Sequence, residues 1–194
     1  ELALEKLSAD KPGRILDLGT GSGCIAITLA LERLGCGIIA VEQSAEALSV
    51  AKQNAIHLGA KLGFYLGNWY LALPPDMEKF DLIVSNPPYV AEGDPHLAAL
   101  AHEPGQALAS GADGLDDIRR IVQDAAAWLV PCGWLMFEHG WDQGEACRGR
   151  SSAPAPCSRT LGGENRAPSA ALDRRARGRA QGSAGCMRGS RRPP

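Results

Sequence analysis

Aromatic residues make up only 5% of this 194-residue chain, and none follows Trp141. No apolar run approaches the roughly 18 residues of a membrane span and no signal peptide is visible, so a soluble, cytoplasmic protein is expected. The six cysteines, at 24, 36, 132, 147, 157 and 186, contain no C-x-x-C pair and no framework spacing. With four scattered histidines they offer no zinc signature, so reduced thiols and no metal are expected. Also missing are a Ser/His/Asp set, a paired-carboxylate site and a Lys after the glycine-rich loop. Nucleophilic hydrolysis, glycosidic acid–base chemistry and a phosphate-cradling Walker loop lose their usual residues.

Lysine is absent from residue 148 onward, as are Ile, Val, Phe, Trp and Tyr. Residues 1–147 hold 9 Lys+Arg against 20 Asp+Glu, a net charge near −11, whereas residues 148–194 hold 11 Arg against 2 acids, near +9. The overall −2 averages two unlike pieces. Such a tail buries too little apolar area to offset the entropy of ordering it. Its arginines follow no helical stripe, and no aromatics are interleaved to stack on bases, which argues against a nucleic-acid arm. The chain thus divides into a domain at 1–147 and an Arg/Ala/Gly/Ser/Pro-rich tail at 148–194. That tail is expected to be disordered, or the product of a frame change in GC-rich coding sequence, and to contain no strand. Glu1 falls within a helical pattern, ELALEKL, so further chain is expected upstream.

Within the body, RILDLG (14–19), GIIAVE (37–42), KLGFYLG (61–67), FDLIVS (80–85) and GWLMFEH (133–139) read as buried strands. Residues 22–34 are helix-permissive and stop at Gly35, a candidate C′ glycine. Ser44 fits an N-cap with Glu46 in the first turn; Leu48, Ala51, Ala55 and Leu58 follow at helical spacing before Gly59. A second amphipathic helix spans 113–129, with Leu115, Ile118, Ile121, Val122 and Leu129 on one face. The alternation predicts an α/β fold with a doubly wound, mostly parallel sheet.

Asp17-Leu18-Gly19-Thr20-Gly21-Ser22-Gly23 joins the first strand to the first helix, at the edge where open α/β sheets bind ligands. Glycines there let a ligand lie against bare backbone. Glu42 ends the second strand, 23 residues after Gly19, and is placed to accept hydrogen bonds from ribose hydroxyls. The spacing is G-x-G-x-G, and Cys24 stands where a dinucleotide fingerprint wants glycine or alanine. A nucleoside cofactor without pyrophosphate, S-adenosylmethionine, fits better. Trp69, at the end of the third strand, suits either a cofactor contact or the core. Asp17 is expected to orient the glycine loop or to meet the cofactor's methionine amine.

Asn86-Pro87-Pro88-Tyr89 ends the fourth strand, beside the first in this topology. Proline has no N–H and a fixed φ, so the stretch is extended and its carbonyls, with the Asn86 side chain, remain free acceptors. That suits a planar –NH₂ group, its hydrogens accepted and Tyr89 packed over its plane. Asn86, Pro87 and Tyr89 are the candidate catalytic residues, and Pro88 completes the substrate clamp. His102 and His139 have no nucleophile or metal partner and read as structural; Tyr65 and Trp128 read as core.

Taken together, ILDLGTGSGCIAI (15–27), AVE (40–42), VSNPPYV (84–90), DPHL (94–97), HEP (102–104), SGADGLDDIRRIV (110–122) and EHGWDQGEA (138–146) resemble the HemK-type protein-(glutamine-N5) methyltransferases. The resemblance covers about residues 1–147. It implies a class I methyltransferase sheet of Rossmann-like type and S-adenosylmethionine as cofactor. It also implies methylation of the glutamine in the Gly-Gly-Gln loop of peptide chain release factors, which enhances termination. By the same resemblance Gly19, Thr20, Gly21, Ser22, Gly23, Glu42 and Trp69 would bind the cofactor, and Asn86 would lie near the reacting groups; Asp17, from its place at the strand end, and Asn86 are further candidate cofactor contacts. Asn86, Pro87, Pro88 and Tyr89 would hold the glutamine.

Against the family pattern, Glu42 stands for Asp, Asn68 for Asp, and Ala101 for the Arg before His102-Glu103-Pro104. No counterpart of the family's N-terminal helical domain or final antiparallel strand pair is expected within these residues, so the fifth strand is expected to present an open edge, an association hazard. A poorly stable, weakly active chain is therefore expected. Competing functions are glutamine methylation of a ribosomal protein, amino-methylation of a nucleic-acid base, and an inactive cofactor-binding remnant. The acidic body disfavours the nucleic-acid reading, because phosphate neutralisation needs basic surface.

Overall fold

A computed structural model describes residues 1–7, 11–95, 108–150 and 159–162. Each βα alternation of the sequence becomes an element. The order is α1 (Leu2–Lys6), β1 (Arg14–Leu18), α2 (Cys24–Glu32), β2 (Gly37–Glu42), α3 (Ala45–Leu58) and β3 (Gly63–Leu66). A 3₁₀ turn (Trp69–Ala72), β4 (Phe80–Ser85), α4 (Asp116–Trp128), β5 (Leu129–Phe137), α5 (Gly144–Arg150) and β6 (Arg159–Gly162) follow. The strands form one sheet in the order β3-β2-β1-β4-β5-β6. Every pairing between these strands is parallel.

Period-2 alternation along the strands sends side chains to two cores, one on each face of the sheet. Leu16, Leu18, Val41, Ile83, Leu135 and Phe137 pack with Ile118, Ile121 and Ala125 of α4. Ile15, Ile38, Ala40, Leu82, Val84 and Met136 pack with Ala26, Leu29 and Ala30 of α2. Both faces are covered, which is why the strands read as near-continuous apolar runs. Ile15, Leu16, Leu18, Phe80, Leu82 and Ile83 are fully buried; each such side chain contributes roughly 1.5–3 kcal/mol. Tyr65 and Trp128 are half-buried against the first core, and Trp128 stacks on Tyr70 at 6.0 Å.

The caps of α3 follow the sequence. Ser44 Oγ accepts the N–H of Ala47 at 3.1 Å, and Gly59 takes the left-handed conformation at φ 71°. Elsewhere the sequence reading needs correction. Leu58 is exposed, so the buried stripe of α3 stops at Ala55. The first long helix ends at Glu32 with Arg33 as its cap, three residues before Gly35. The fifth strand begins at Leu129, earlier than residue 133. Its Pro131-Cys132 step is absorbed by a register shift between the pairs Phe80↔Leu129 and Leu82↔Trp134, with Cys132 at φ 64°.

The largest correction lies after residue 147. Residues 159–162 form a strand in parallel register with Trp134, Leu135, Met136 and Phe137, so β5 is paired on both sides. The expectation of a strandless tail and an open β5 edge is overturned, because backbone hydrogen bonding to a waiting edge needs no apolar pattern in the added strand. The remaining tail, and His96, Leu97, Ala101, His102, Glu103 and Pro104, lie outside the described residues. Among the described residues, no helix is long and apolar enough to cross a membrane, and no cluster of His, Cys, Asp and Glu could hold a metal ion.

Candidate functional site

The glycine loop leaves β1 at Leu18 and is anchored on β2. The N–H groups of Gly19 and Thr20 both donate to the Val41 carbonyl, at 2.9 and 3.0 Å. Glu42, nearly buried, accepts the Gly21 N–H on Oε2 at 2.8 Å and the Ser44 N–H on Oε1 at 3.0 Å. A carboxylate offers about four lone-pair sites, so Glu42 keeps acceptor capacity for hydroxyls while fixing the loop. Above Gly21 the space is open, with nothing within 4 Å of where a Cβ would stand. Gly23 donates its N–H to Thr20 at 2.9 Å, closing the turn, and the exposed Ser22 receives Asn54 Nδ2 on its carbonyl at 2.9 Å.

Asp17 ties the glycine loop to its neighbours. Its Oδ2 accepts Thr20 Oγ1 at 2.7 Å and the Ala26 N–H at 3.1 Å, tying strand end, loop and α2 together. The Thr20 hydroxyl is therefore engaged by Asp17. Asp17 Oδ1 is buried with no hydrogen-bond partner among the described residues. Burial pushes the Asp17 pKa from 3.8 up to about 6, against the lowering effect of its two hydrogen bonds, with the nearby Glu42 charge adding to the rise.

Trp69 is half-buried at φ 44°. Its six-membered ring lies against Gly19, where a Cβ would sit 3.2 Å from Cζ3 and 3.4 Å from Cη2. The indole Nε1 donates to Asp117 Oδ1 at 3.3 Å, and Asp117 Oδ2 accepts Ser110 Oγ at 2.9 Å. Trp69 thus packs on the first core and borders the glycine loop at once, so the two readings of it are not exclusive. Asn68 is exposed, with Nδ2 at 3.4 Å from Gln43 Oε1.

β4 delivers the second half of the site. Ser85 pairs in register with Leu18 and donates its hydroxyl to the Leu18 carbonyl at 2.7 Å, so the two loops leave adjacent strand ends. Asn86 is exposed at this edge, Pro87 is fully buried, and Pro88 and Tyr89 are half-buried. No described residue donates to the Asn86 side chain or to the carbonyls of Asn86, Pro87 and Pro88. The Tyr89 carbonyl is an exception to the expected free acceptors: it receives Gln143 Nε2 at 2.9 Å. The Tyr89 phenol is held neutral by burial and by the neighbouring Glu138 charge, both raising its pKa. His139 is buried, with Nδ1 at 2.7 Å from the Gly140 carbonyl and its ring edge-on to Phe137, as a structural histidine should be.

Sequence reasoning singled out the loop residues and missed Gln143, Ser110 and Asp117. All three sit inside the SGADGLDD and EHGWDQGEA segments, whose motif character was the available signal.

Residues 1–113 match the methyltransferase small domain family. The chain belongs to that family. Among curated relatives it is 51% identical over 151 residues to a release factor glutamine methyltransferase of Xylella fastidiosa (strain Temecula1), a match covering 76% of this chain and 54% of that protein. The proteins of the same name from Bordetella pertussis and Escherichia coli (strain K12) are 48% and 46% identical, covering 76% of this chain and 55% and 53% of theirs. The chain spans about half the length of these relatives. Among solved structures, a methyltransferase from Pyrococcus furiosus superposes with a TM-score of 0.57 at 17% identity, covering 77% of this chain and 68% of that one. A ribosomal protein L11 methylase from Lactobacillus delbrueckii subsp. bulgaricus gives 0.54 at 21%, covering 77% and 62%. At these identities the structural likeness shows the fold alone: a class I, Rossmann-like methyltransferase sheet.

Proposed function

We propose that this methyltransferase-family chain transfers a methyl group from S-adenosylmethionine to the side-chain amide nitrogen of the glutamine in the Gly-Gly-Gln loop of peptide chain release factors. The observation that carries this reading is the register of Leu18 with Ser85. It sets a cofactor-type glycine loop beside an exposed amide and carbonyls to which no described residue donates, in a chain 46–51% identical to proteins named for that activity. The methyltransferase unit is residues 1–147, on which the 159–162 strand completes the sheet. The acceptor places the reaction in the cytoplasm.

The residues present fit the cofactor. Bare backbone at Gly19 and Gly21, the remaining lone pairs of Glu42, and the Trp69 ring bordering Gly19 would hold a nucleoside. The exposed Asn86 lies at the edge towards the reacting groups. When bound, S-adenosylmethionine supplies an electrophilic methyl, so the protein's task is alignment of the nitrogen for in-line displacement. An amide nitrogen is a poor nucleophile because its lone pair is delocalised. Asn86 and the carbonyls of the proline pair would accept its hydrogens, raise electron density on it and stabilise the positive charge that develops as the nitrogen–methyl bond forms and the sulfur–methyl bond breaks, S-adenosylhomocysteine leaving and one amide proton passing to solvent. Pro87, fully buried, fixes the backbone that presents these acceptors, and the neutral Tyr89 phenol flanks the amide plane.

Amino-methylation of a nucleic-acid base would use a similar clamp, but the body's net charge near −11 opposes a phosphate backbone. Incubation with methyl-labelled cofactor and either release factor or nucleic acid separates the two. Label in release factor supports the proposal, and label in nucleic acid alone overturns it.

A further inference from the structure

We infer that Gln143 is a positioning residue for the amide clamp, holding the Tyr89 carbonyl so that residues 86–89 keep the shape that the transfer requires. This rests on the function proposed above.

Gln143 Nε2 donates to the carbonyls of Tyr89 at 2.9 Å and Asp113 at 3.2 Å, and Oε1 accepts the Gly140 N–H at 2.7 Å. Its own N–H returns to the Gly140 carbonyl at 3.0 Å. One side-chain amide thereby ties together the segments after β4, before α4 and after β5. Tyr89 lies 54 residues away in sequence, so no local structure makes this link. The site is shaped around it. Gly114 is at φ 73°, and a Cβ there would fall 2.3 Å from the Tyr89 carbonyl oxygen and 2.8 Å from Gln143 Nε2. Only bare backbone lets the three groups meet.

The chemistry demands an amide. A carboxylate would set acceptors against two carbonyl oxygens, and an apolar side chain would leave the Gly140 N–H and the Tyr89 carbonyl unpaired. Gln143 touches none of the free acceptors of Asn86, Pro87 or Pro88. Its effect is to withdraw the Tyr89 carbonyl from the acceptor set and to fix the end of the extended stretch. Val90 then continues into the bonds Val90 N–H to Leu108 and Ser110 N–H to Val90, at 3.0 and 2.9 Å.

The test compares the wild-type chain with Gln143→Glu and the near-isosteric Gln143→Met. Cofactor affinity, the kcat and KM of methyl transfer to release factor, and hydrogen exchange of the backbone amides are measured. Both variants are expected to bind cofactor within about twofold of wild type and to lose about tenfold or more in kcat, as misalignment of a reacting group does. Exchange at amides 89–92 is expected to rise at least about fivefold while that at 17–23 is unchanged. Unchanged exchange at 89–92, an equal rise in the glycine loop, or retained kcat overturns the inference. If the wild-type chain labels no release factor, the proposed function falls, and the exchange pattern alone upholds or overturns the role of Gln143.

Discussion

The Gly21 N–H donates to Glu42 Oε2 at 2.8 Å, so the glycine loop and the acidic end of the neighbouring strand are one unit. The other Glu42 oxygen accepts the Ser44 N–H, which extends the unit to the start of α3. Replacing Glu42 with Gln sets an NH₂ group against one of these two donors. Hydrogen bonds to charged groups are worth about 1.5–3 kcal/mol, so Glu42→Gln is expected to weaken cofactor binding by roughly tenfold or more. Calorimetric titration with S-adenosylmethionine checks this, and binding within twofold of wild type would contradict it.

The contact between Trp69 and Gly19 predicts a graded series. Gly19 sits at φ 70°, and a methyl there would press on the indole. Gly19→Ala combines a left-handed backbone penalty of about 1–2 kcal/mol with displacement of the Trp69 ring, and is expected to lower cofactor affinity by at least about tenfold. Asp117→Ala frees the indole N–H from a carboxylate partner held at a long 3.3 Å but leaves Gly19 bare, and is expected to cost only a few-fold in cofactor affinity. Equal effects of the two substitutions in the same titration would refute the packing account.

Asp17 gives the pH dependence. Its folded pKa of about 6 lies above its ordinary 3.8, so the folded state binds this proton more tightly than the unfolded chain does. The contribution therefore favours the fold fully below pH 3.8 and is lost as pH rises through about 6. The gap corresponds to about 3 kcal/mol. In Asp17→Asn this part of the pH profile is expected to vanish, since an amide oxygen still accepts from Thr20 and Ala26 without ionising. Urea denaturation without cofactor at several pH values between 4 and 8, on wild type and variant, reads the difference. Parallel profiles would contradict the assignment.

Much of this was legible in the sequence. Parallel strands covered on both faces leave apolar runs bounded by turns, and the order β1-α2-β2-α3-β3 followed from them. Asn86, Pro87, Pro88 and Tyr89 stood out because no strand interior tolerates two prolines. Illegible features had partners that are distant backbone. Gln143 acts on the carbonyls of Tyr89 and Asp113, and backbone bonding carries no side-chain signature. The early start of β5 was hidden by Pro131, Cys132 and Gly133, whose irregularity is taken up by the register shift beside Phe80. Residues 159–162 have no strand composition and are recruited by the β5 edge. Leu58 fitted the helical spacing, yet the helix buries only Leu48, Ala51 and Ala55 and leaves Leu58 exposed.

Pairing of β5 on both sides alters the stability expected of the chain. β6 is the edge strand, where successive N–H groups alternate between β5 and solvent, so replacing Thr160 and Leu161 together with Pro removes at least one donor to β5 and is expected to weaken that strand. A fall of several degrees in the thermal midpoint, together with concentration-dependent association, is the expected result. An unchanged midpoint and a monodisperse monomer would show that β6 contributes nothing to stability.

The most direct test of the central claim is mass spectrometry of release factor after incubation with S-adenosylmethionine and either the wild-type chain or Asn86→Ala. Asn86 is exposed, so the variant should fold with an unchanged thermal midpoint. The account predicts one added methyl on the glutamine of the Gly-Gly-Gln loop with wild type and a rate at least about 100-fold lower with the variant, as for loss of a group that stabilises developing charge. A methyl group on any other residue, or equal rates for the two proteins, would contradict it.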